Sequence, residues 1–555
     1  MPVEIGSLSL DEATIAKQLR NDFKDDWFPD PIGFEDYFES GNLSEIIRSN
    51  FDQHHGQYEP SQALLLNVPK SNFTLRYALE TSVTDRAIYH ALAAELLPLF
   101  DECISWRVFS HRRDSKLVTE GHRSDNRYTF RNGVAAWSDF LGCVDAQLEP
   151  KKFLLSTDLA NYFENITITK LKESFVNLVP KLKCDAAKKA TVRGQIDQLF
   201  QYLDKWSYAP NKGLPQNRDA SSFIANIYMM SVDNEMIAAG YEYFRYMDDI
   251  KIVCANESQA RRALKALVLA LRPLSQSVNS GKTHIVSASN PEEIKSCLGS
   301  GSPEMKRINS AWQTKSLKPI VRSFIPLKDL TLKTLKQCRY DSREFRFCIG
   351  RLETLARCIE FNVPKEFFEE ITDLVIEGLS KSPVSTDQIC RYLRAVELNH
   401  PQIQELVQHI VDDDKTIYNW KNYRVWVLFA QKSVMDDRLL GTAREYVAVR
   451  ADDPSRAGAT IYLGKMGTLE DRQLIAEKFG DLKSYLGQRC GIIGAHEIHF
   501  SAKKTGGASI KTHVGPHLRA DLKGVYKTLN RSGRYVSELE PMLITRYVDT
   551  ERDYD

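Results

Sequence analysis

An α+β body followed by an all-helical C-terminal part is the fold class that this chain of 555 residues predicts. Three stretches predict it. Tyr243-Phe244-Arg245-Tyr246-Met247-Asp248-Asp249-Ile250-Lys251-Ile252-Val253 sets two adjacent acids between short runs of aromatic and β-branched residues, the composition of a β-hairpin with the acids at its tip. Phe153-Leu154-Leu155-Ser156-Thr157-Asp158 reads as an apolar strand ending on an acid. From about residue 310 the pattern changes to helices with short polar joints.

The length exceeds one core and divides into a helical N-terminal extension (1–65), a mixed region (66–300) and a helical region (301–555). Lys+Arg number 74 against Asp+Glu 73, which argues against a broad basic surface for a long structured RNA and leaves room for a local basic groove. The 10 cysteines form no Cys-x-x-Cys pair, which fits thiols in a reducing compartment. Cys338, Cys348 and Cys358 read as helical core residues. No apolar run approaches the roughly 20 residues of a membrane span, and the N-terminus lacks a signal-peptide pattern. A cytoplasmic protein without a membrane partner is expected.

In chain order, Ser9-Leu10-Asp11-Glu12 opens a helix and Trp27-Phe28-Pro29-Asp30-Pro31 breaks it. His54 and His55 are adjacent and cannot easily face one ion. An extended Val68-Pro69-Lys70 segment then leads towards a helix around Asp85–Leu92. Lys70, Arg76 and Arg86 precede or open that helix, where cations could meet a triphosphate. Trp106-Arg107-Val108-Phe109-Ser110-His111-Arg112-Arg113 interleaves aromatics and cations, as a single-strand path or as a half-exposed amphipathic strand.

After the strand that ends at Asp158, a turn delivers Tyr162 and Phe163. Gly213-Leu214-Pro215-Gln216 feeds a helix of small residues from Asp219 to Tyr228. Beyond the hairpin, a helix from about Ser258 to Leu271 leads to Asn279-Ser280-Gly281-Lys282. Asp248 and Asp249 side by side stay ionised only with cations beside them, and Mg²⁺ prefers one or two carboxylates plus phosphate oxygens. An acid at the end of the Phe153–Asp158 strand is in place to share such ions.

Tyr-Met-Asp-Asp between strands, with the other motifs in order, resembles the catalytic hairpin of reverse transcriptases. The Asp-Arg-x-x-Tyr helix start, Ala-Asn-Ile-Tyr at 225–228 and the helical C-terminal region look most like the abortive-infection and defence-associated prokaryotic members. That resemblance implies a right-hand fingers-palm unit with a ferredoxin-like palm. It also implies two-metal transfer of dNTPs to a DNA strand, with an RNA template or none, and a role in phage defence. It assigns catalysis to Asp158, Asp248 and Asp249, and two Mg²⁺, with Mn²⁺ as substitute, to Asp158, Leu159, Asp248 and Asp249. Lys70, Arg76, Arg86, Phe163, Gln216 and Lys282 become nucleotide-binding, with Phe163 as the ring that excludes a ribose 2′-OH. Asn217 departs from the glycine many members carry there.

Asp452-Asp453-Pro454 to Gly467 reads like one helix of a HEAT-type repeat, with an Asp-Pro start, small residues for close contacts and a Gly stop. No acidic cluster in this region resembles a nuclease. The resemblance includes enzymes that start DNA on a protein hydroxyl, so Tyr526, Tyr535, Tyr547 and Tyr554 are candidate primers; a homo-oligomer and a single-stranded DNA product complete the expectation. The alternatives are a templated reverse transcriptase of a mobile element, a palm-type RNA polymerase, which Phe163 opposes, and an inactive palm serving the helices as a scaffold.

Overall fold

The computed structural model describes the chain except residues 1–2, 6–7, 39–41, 62, 115–128, 300, 499–512, 523–524, 526–527, 530–532 and 547–555. It divides into two units. The first comprises Met1–Asp26, Leu43–Leu66 and Tyr77–Ser300; the second comprises Trp27–Asn42, Asn67–Arg76 and Gly301–Asp555. Residues 1–65 are thus shared between the units and are not a body of their own.

The first unit begins with an antiparallel pair, β1 (Val3–Ile5) and β2 (Leu8–Leu10), and Asp11 caps the Glu12–Asp22 helix that follows. Strands β3 (Leu64–Pro69) and β4 (Leu75–Glu80) pair in a two-stranded sheet, of which Leu64–Leu66 and Tyr77–Glu80 belong to this unit. The unit is built on a four-stranded sheet of β5 (Phe153–Asp158), β6 (Glu242–Tyr246), β7 (Asp249–Cys254) and β8 (His284–Ser287), in the order β6-β7-β5-β8. Every pairing in it is antiparallel. Helices join β5 to β6 and β7 to β8, while β6 and β7 form a hairpin, so the topology is the ferredoxin-like βαββαβ.

Alternation along the strands gives each face its own core. Phe244, Val253, Leu154 and Val286 meet Phe140 and Val144 of the Gly133–Gln147 helix, together with Phe109. Tyr243 and Arg245 turn the other way, towards Asp233 of the Asp219–Ala238 helix. The Glu257–Leu271 helix runs beside that helix and packs on β5, β7 and β8. Both faces of the hairpin are therefore covered.

In the second unit, helices alternate between two layers. The Arg343–Ala356, Thr386–Ala395, Asn419–Lys432, Pro454–Met466 and Tyr485–Ala495 helices stack in succession. The Phe324–Lys336, Glu366–Lys381, His400–Val411, Asp437–Val449 and Leu469–Glu477 helices form the other layer. The Pro454–Met466 helix has the start its sequence announces: Asp453 caps it, accepting from the Arg456 N–H at 2.9 Å, and Pro454 occupies its first turn. Its glycines permit close approach, since a Cβ on Gly464 would lie 2.5 Å from Gly494 Cα. Of the three evenly spaced cysteines only Cys348 is core; Cys338 is exposed at a left-handed φ of 54° past a helix end, and Cys358 is half-buried after another. No described helix is long and apolar enough to cross a membrane.

Candidate active site

Register brings the acids together. Asp158, the last residue of β5, lies directly opposite Asp249, the first of β7. The hairpin loop is only Met247-Asp248, so Asp248 alone occupies the tip and Asp249 already belongs to the ladder, a correction to the reading of both acids as turn residues. Two-residue hairpin loops need left-handed backbone, ordinarily supplied by Gly or Asn. Met247 adopts it, with φ 54°. The loop is held from below: Arg245 Nη1 donates to the Met247 carbonyl at 2.9 Å, and the Met247 N–H donates to Ser110 Oγ at 3.1 Å.

Arg245 is completely buried and joins β6 to the Asp219–Ala238 helix. Its Nε and Nη2 donate to the Asp233 carboxylate at 2.8 and 2.7 Å, and its Nη1 reaches Asn226 Oδ1 at 2.9 Å. Asn226 in turn donates to the Ser110 carbonyl at 2.8 Å, which closes a loop of bonds around the turn. From the other side, the Leu159 N–H donates to the Asp248 carbonyl at 3.1 Å and the Asn279 N–H to the Asp158 carbonyl at 2.7 Å.

The electrostatics follow from crowding. Burial, then the charges of Asp158 and Asp249, push the Asp248 carboxyl from 3.8 up to about 8. Lys282 Nζ pairs with Asp158 Oδ2 at 2.7 Å. Burial works against its charge, yet the Asp158 hydrogen bond and the three acids raise its pKa. Lys251, two residues after Asp249 and so on the same face of β7, donates to Asp249 Oδ1 at 2.7 Å and Ser156 Oγ at 2.8 Å. Its side chain is only 6% exposed.

Among the described residues no three of His, Cys, Asp and Glu form a ready-made metal cage. The donors are nevertheless all hard oxygens, and burial with the two neighbouring acids disfavours the Asp248 charge, a cost that a divalent cation completed by phosphate and water would relieve.

Phe163 is half-buried, unlike its neighbour Tyr162, whose ring is core and whose hydroxyl donates to the Ala225 carbonyl at 2.6 Å. Its backbone is tied to the Gly213-Leu214 turn: the Leu214 N–H donates to the Phe163 carbonyl at 3.1 Å. Gln216 follows that turn, half-buried, with Nε2 3.4 Å from Glu164 Oε1, and Asn217 takes a left-handed φ of 59°. The structure thus gathers Asp158, Asp248, Asp249 and Lys282 directly, and links Phe163 to Gln216 through one turn.

Other predicted residues are placed elsewhere. Arg86 is not available to a triphosphate: its side chain is 3% exposed and pairs with Asp26 and Glu80, each at 2.5 Å. Lys70 and Arg76 lie on the Asn67–Arg76 segment of the second unit, outside the body that carries the acids. Tyr535, also in the second unit, is buried, packs its ring at a tilt against His496 with centroids 4.2 Å apart and accepts from Arg472 Nε at 2.7 Å. Burial raises its pKa, the opposite of what a nucleophilic phenol needs. Tyr526, Tyr547 and Tyr554 lie outside the described residues. Lys251 and the Arg245–Asp233–Asn226 network were missed. Their signals were a charged residue inside each of two otherwise apolar strand runs.

Residues 68–338 match the family model of reverse transcriptases, RNA-dependent DNA polymerases. The chain carries a reverse transcriptase domain. That domain is a nucleotidyltransferase, an RNA-directed DNA polymerase, and it contains the whole acid centre. No curated protein matches the sequence. One solved structure that matches, telomerase from Candida albicans in complex with the TWJ fragment of telomeric RNA, is 11% identical with a TM-score of 0.30. The match covers 66% of this chain and 66% of that one, so the chain spans just under two thirds of that telomerase, at a likeness too distant to carry an argument.

Proposed function

We propose that the reverse transcriptase domain copies RNA into DNA at the centre formed by Asp158, Asp248 and Asp249. The observation that carries this reading is the pairing of Asp158 with Asp249 across the β5–β7 ladder, with Asp248 at the adjoining tip. Asp158 and Asp248, with the Leu159 carbonyl, are the groups to hold metal, and Asp249 assists while Lys251 offsets its charge. Bound there, two Mg²⁺ supply activation of the attacking hydroxyl and stabilisation of the leaving pyrophosphate. Lys282, whose side chain is 68% exposed, exchanges Asp158 for the triphosphate's negative charge. Gln216 orients base and sugar, and the half-exposed ring of Phe163 fills the space a 2′-OH would take. Catalysis then rests on positioning and charge.

At the level of domains, we read 66–300 as fingers and palm and the two-layered helices of 301–555 as a thumb-like part continuing into HEAT-like repeats. The finer reading, phage defence with DNA begun on a protein hydroxyl, rests on the resemblance to the abortive-infection class; Tyr535 is ill suited as a primer because its hydroxyl is buried and engaged.

The test is primer extension on an RNA template with Mg²⁺ and either four dNTPs or four NTPs. Extension with dNTPs, lost on chelation, is expected; extension with NTPs alone would favour an RNA polymerase. In the same assay without primer and template, label migrating with protein and released by DNase supports protein priming, and label absent from protein rejects it.

A further inference from the structure

Behind the turn that carries Gln216 stands a buried charge. Arg218, the residue before the Asp219–Ala238 helix, is 4% exposed. Its Nη1 donates to the Asn217 carbonyl at 2.8 Å, and Asn217 is the residue held at a left-handed φ of 59°. Its Nη2 lies among acids, 3.5 Å from Glu80 Oε1 and 3.9 Å from Asp26 Oδ1. Arg86 completes the cluster by pairing with the same two carboxylates, so two cations face two anions out of reach of solvent.

This guanidinium is poorly served as a stabilising group. Burial, then the neighbouring Arg86 charge, lower its pKa. Among the described residues neither its Nε nor its Nη2 finds a hydrogen-bond partner. Apolar residues of similar volume often replace a buried ion pair without loss of stability. The hydrogen bond that Arg218 does make goes to the peptide beside Gln216. Asn visits left-handed backbone without being confined to it, and the Arg218 bond selects that state.

The brace extends into the N-terminal part of the chain. Asp26 comes from there, and so does Gln18 of the Glu12–Asp22 helix, which donates to Asp219 Oδ2 at 2.5 Å. The other oxygen of Asp219 lies 3.0 Å from His111 Nε2. Both residues that follow Asn217 are thus tied to residues 18–26, which precede the matched family region. All of these groups belong to the first unit. We propose that Arg218 is a positioning residue for nucleotide binding. It locks the Asn217 peptide and thereby presents the Gln216 amide, while Asp26 and Glu80 hold the guanidinium in place. The inference rests on the reading of Gln216 as the residue that orients the nucleotide.

The experiment measures kcat and KM for dNTP addition to a primer on an RNA template, with thermal melting of each variant. Arg218→Met/Glu80→Gln removes one cation and one anion, so Arg86 and Asp26 remain balanced. Its melting temperature should stay within about 4 °C of the parent's, while KM rises at least about tenfold and kcat changes less. Glu80→Gln alone keeps the bond to Asn217 and should keep the parental KM. Gln216→Ala should raise KM by a similar factor. Adding the Arg218→Met/Glu80→Gln changes to it should raise KM no further, because residues that act through one contact are not additive. Parental KM in the Arg218 variant beside a raised KM in Gln216→Ala would overturn this inference alone. Additive effects, a KM raised as far by Glu80→Gln alone, or loss of cooperative melting in the Arg218 variant would also overturn it. Parental KM in Gln216→Ala would instead defeat the reading of Gln216, and this inference with it.

Discussion

At the scale of the residue, Asp248 is a carboxyl crowded by two others, Asp158 and Asp249. Its folded pKa of about 8 lies above its ordinary 3.8, so between these values the metal-free folded protein holds a proton that the unfolded chain has released. Its contribution to stability is therefore complete below the ordinary value and is lost as pH rises to about 8. Urea midpoints of the metal-free protein should fall across that window, and Asp248→Asn should flatten the fall. A slope unchanged by the substitution would contradict the crowding described here. Phe163 makes a second prediction. Because its ring is half-buried and not core, Phe163→Ala should cost little stability while the preference for dNTPs over NTPs drops at least about tenfold. Steady-state incorporation of both substrates measures it; unchanged selectivity would make Phe163 a packing residue. The meeting of the acids was legible because strand ends are local properties. The fate of Arg86 was not, since its partners Asp26 and Glu80 stand 60 and 6 residues away and nothing local marks them as neighbours.

At the scale of the element, the β6–β7 hairpin is aimed by what lies beneath it. Met247 is held in left-handed backbone, and the guanidinium of Arg245 fixes its carbonyl while pairing with Asp233. Arg245→Met leaves the buried Asp233 carboxylate without its counter-charge, keeping the Tyr243 hydroxyl, and removal of one partner of a buried pair costs about 3–5 kcal/mol. Adding Asp233→Leu should recover much of that loss in urea denaturation, yet nucleotide incorporation should stay low because the turn has lost its anchor. A loss below about 1 kcal/mol for the single change would mean that the network does not support the hairpin. The hairpin itself could be read from alternation and composition. Its two covered faces could not, because the helices that cover them come from distant segments, Gly133–Gln147 and Asp219–Ala238.

At the scale of the whole molecule, the chain keeps its acid centre in one unit and its two-layered helices in another. The change of pattern near residue 310 was visible because helical periodicity is a property of each segment. That Trp27–Asn42 and Asn67–Arg76 belong with the C-terminal helices was not, because such membership depends on long-range contacts such as the buried pairing of Arg489 with Asp30 and Asp36. The account as a whole rests on the acid centre being where nucleotides are joined. The measurement that tests this most directly is single-nucleotide addition to a primer on an RNA template by the parent and by the Asp248→Ala/Asp249→Ala variant, with circular dichroism of both. The account predicts a variant folded like the parent whose rate falls by at least about 10³-fold. A folded variant that extends the primer at the parental rate would contradict it.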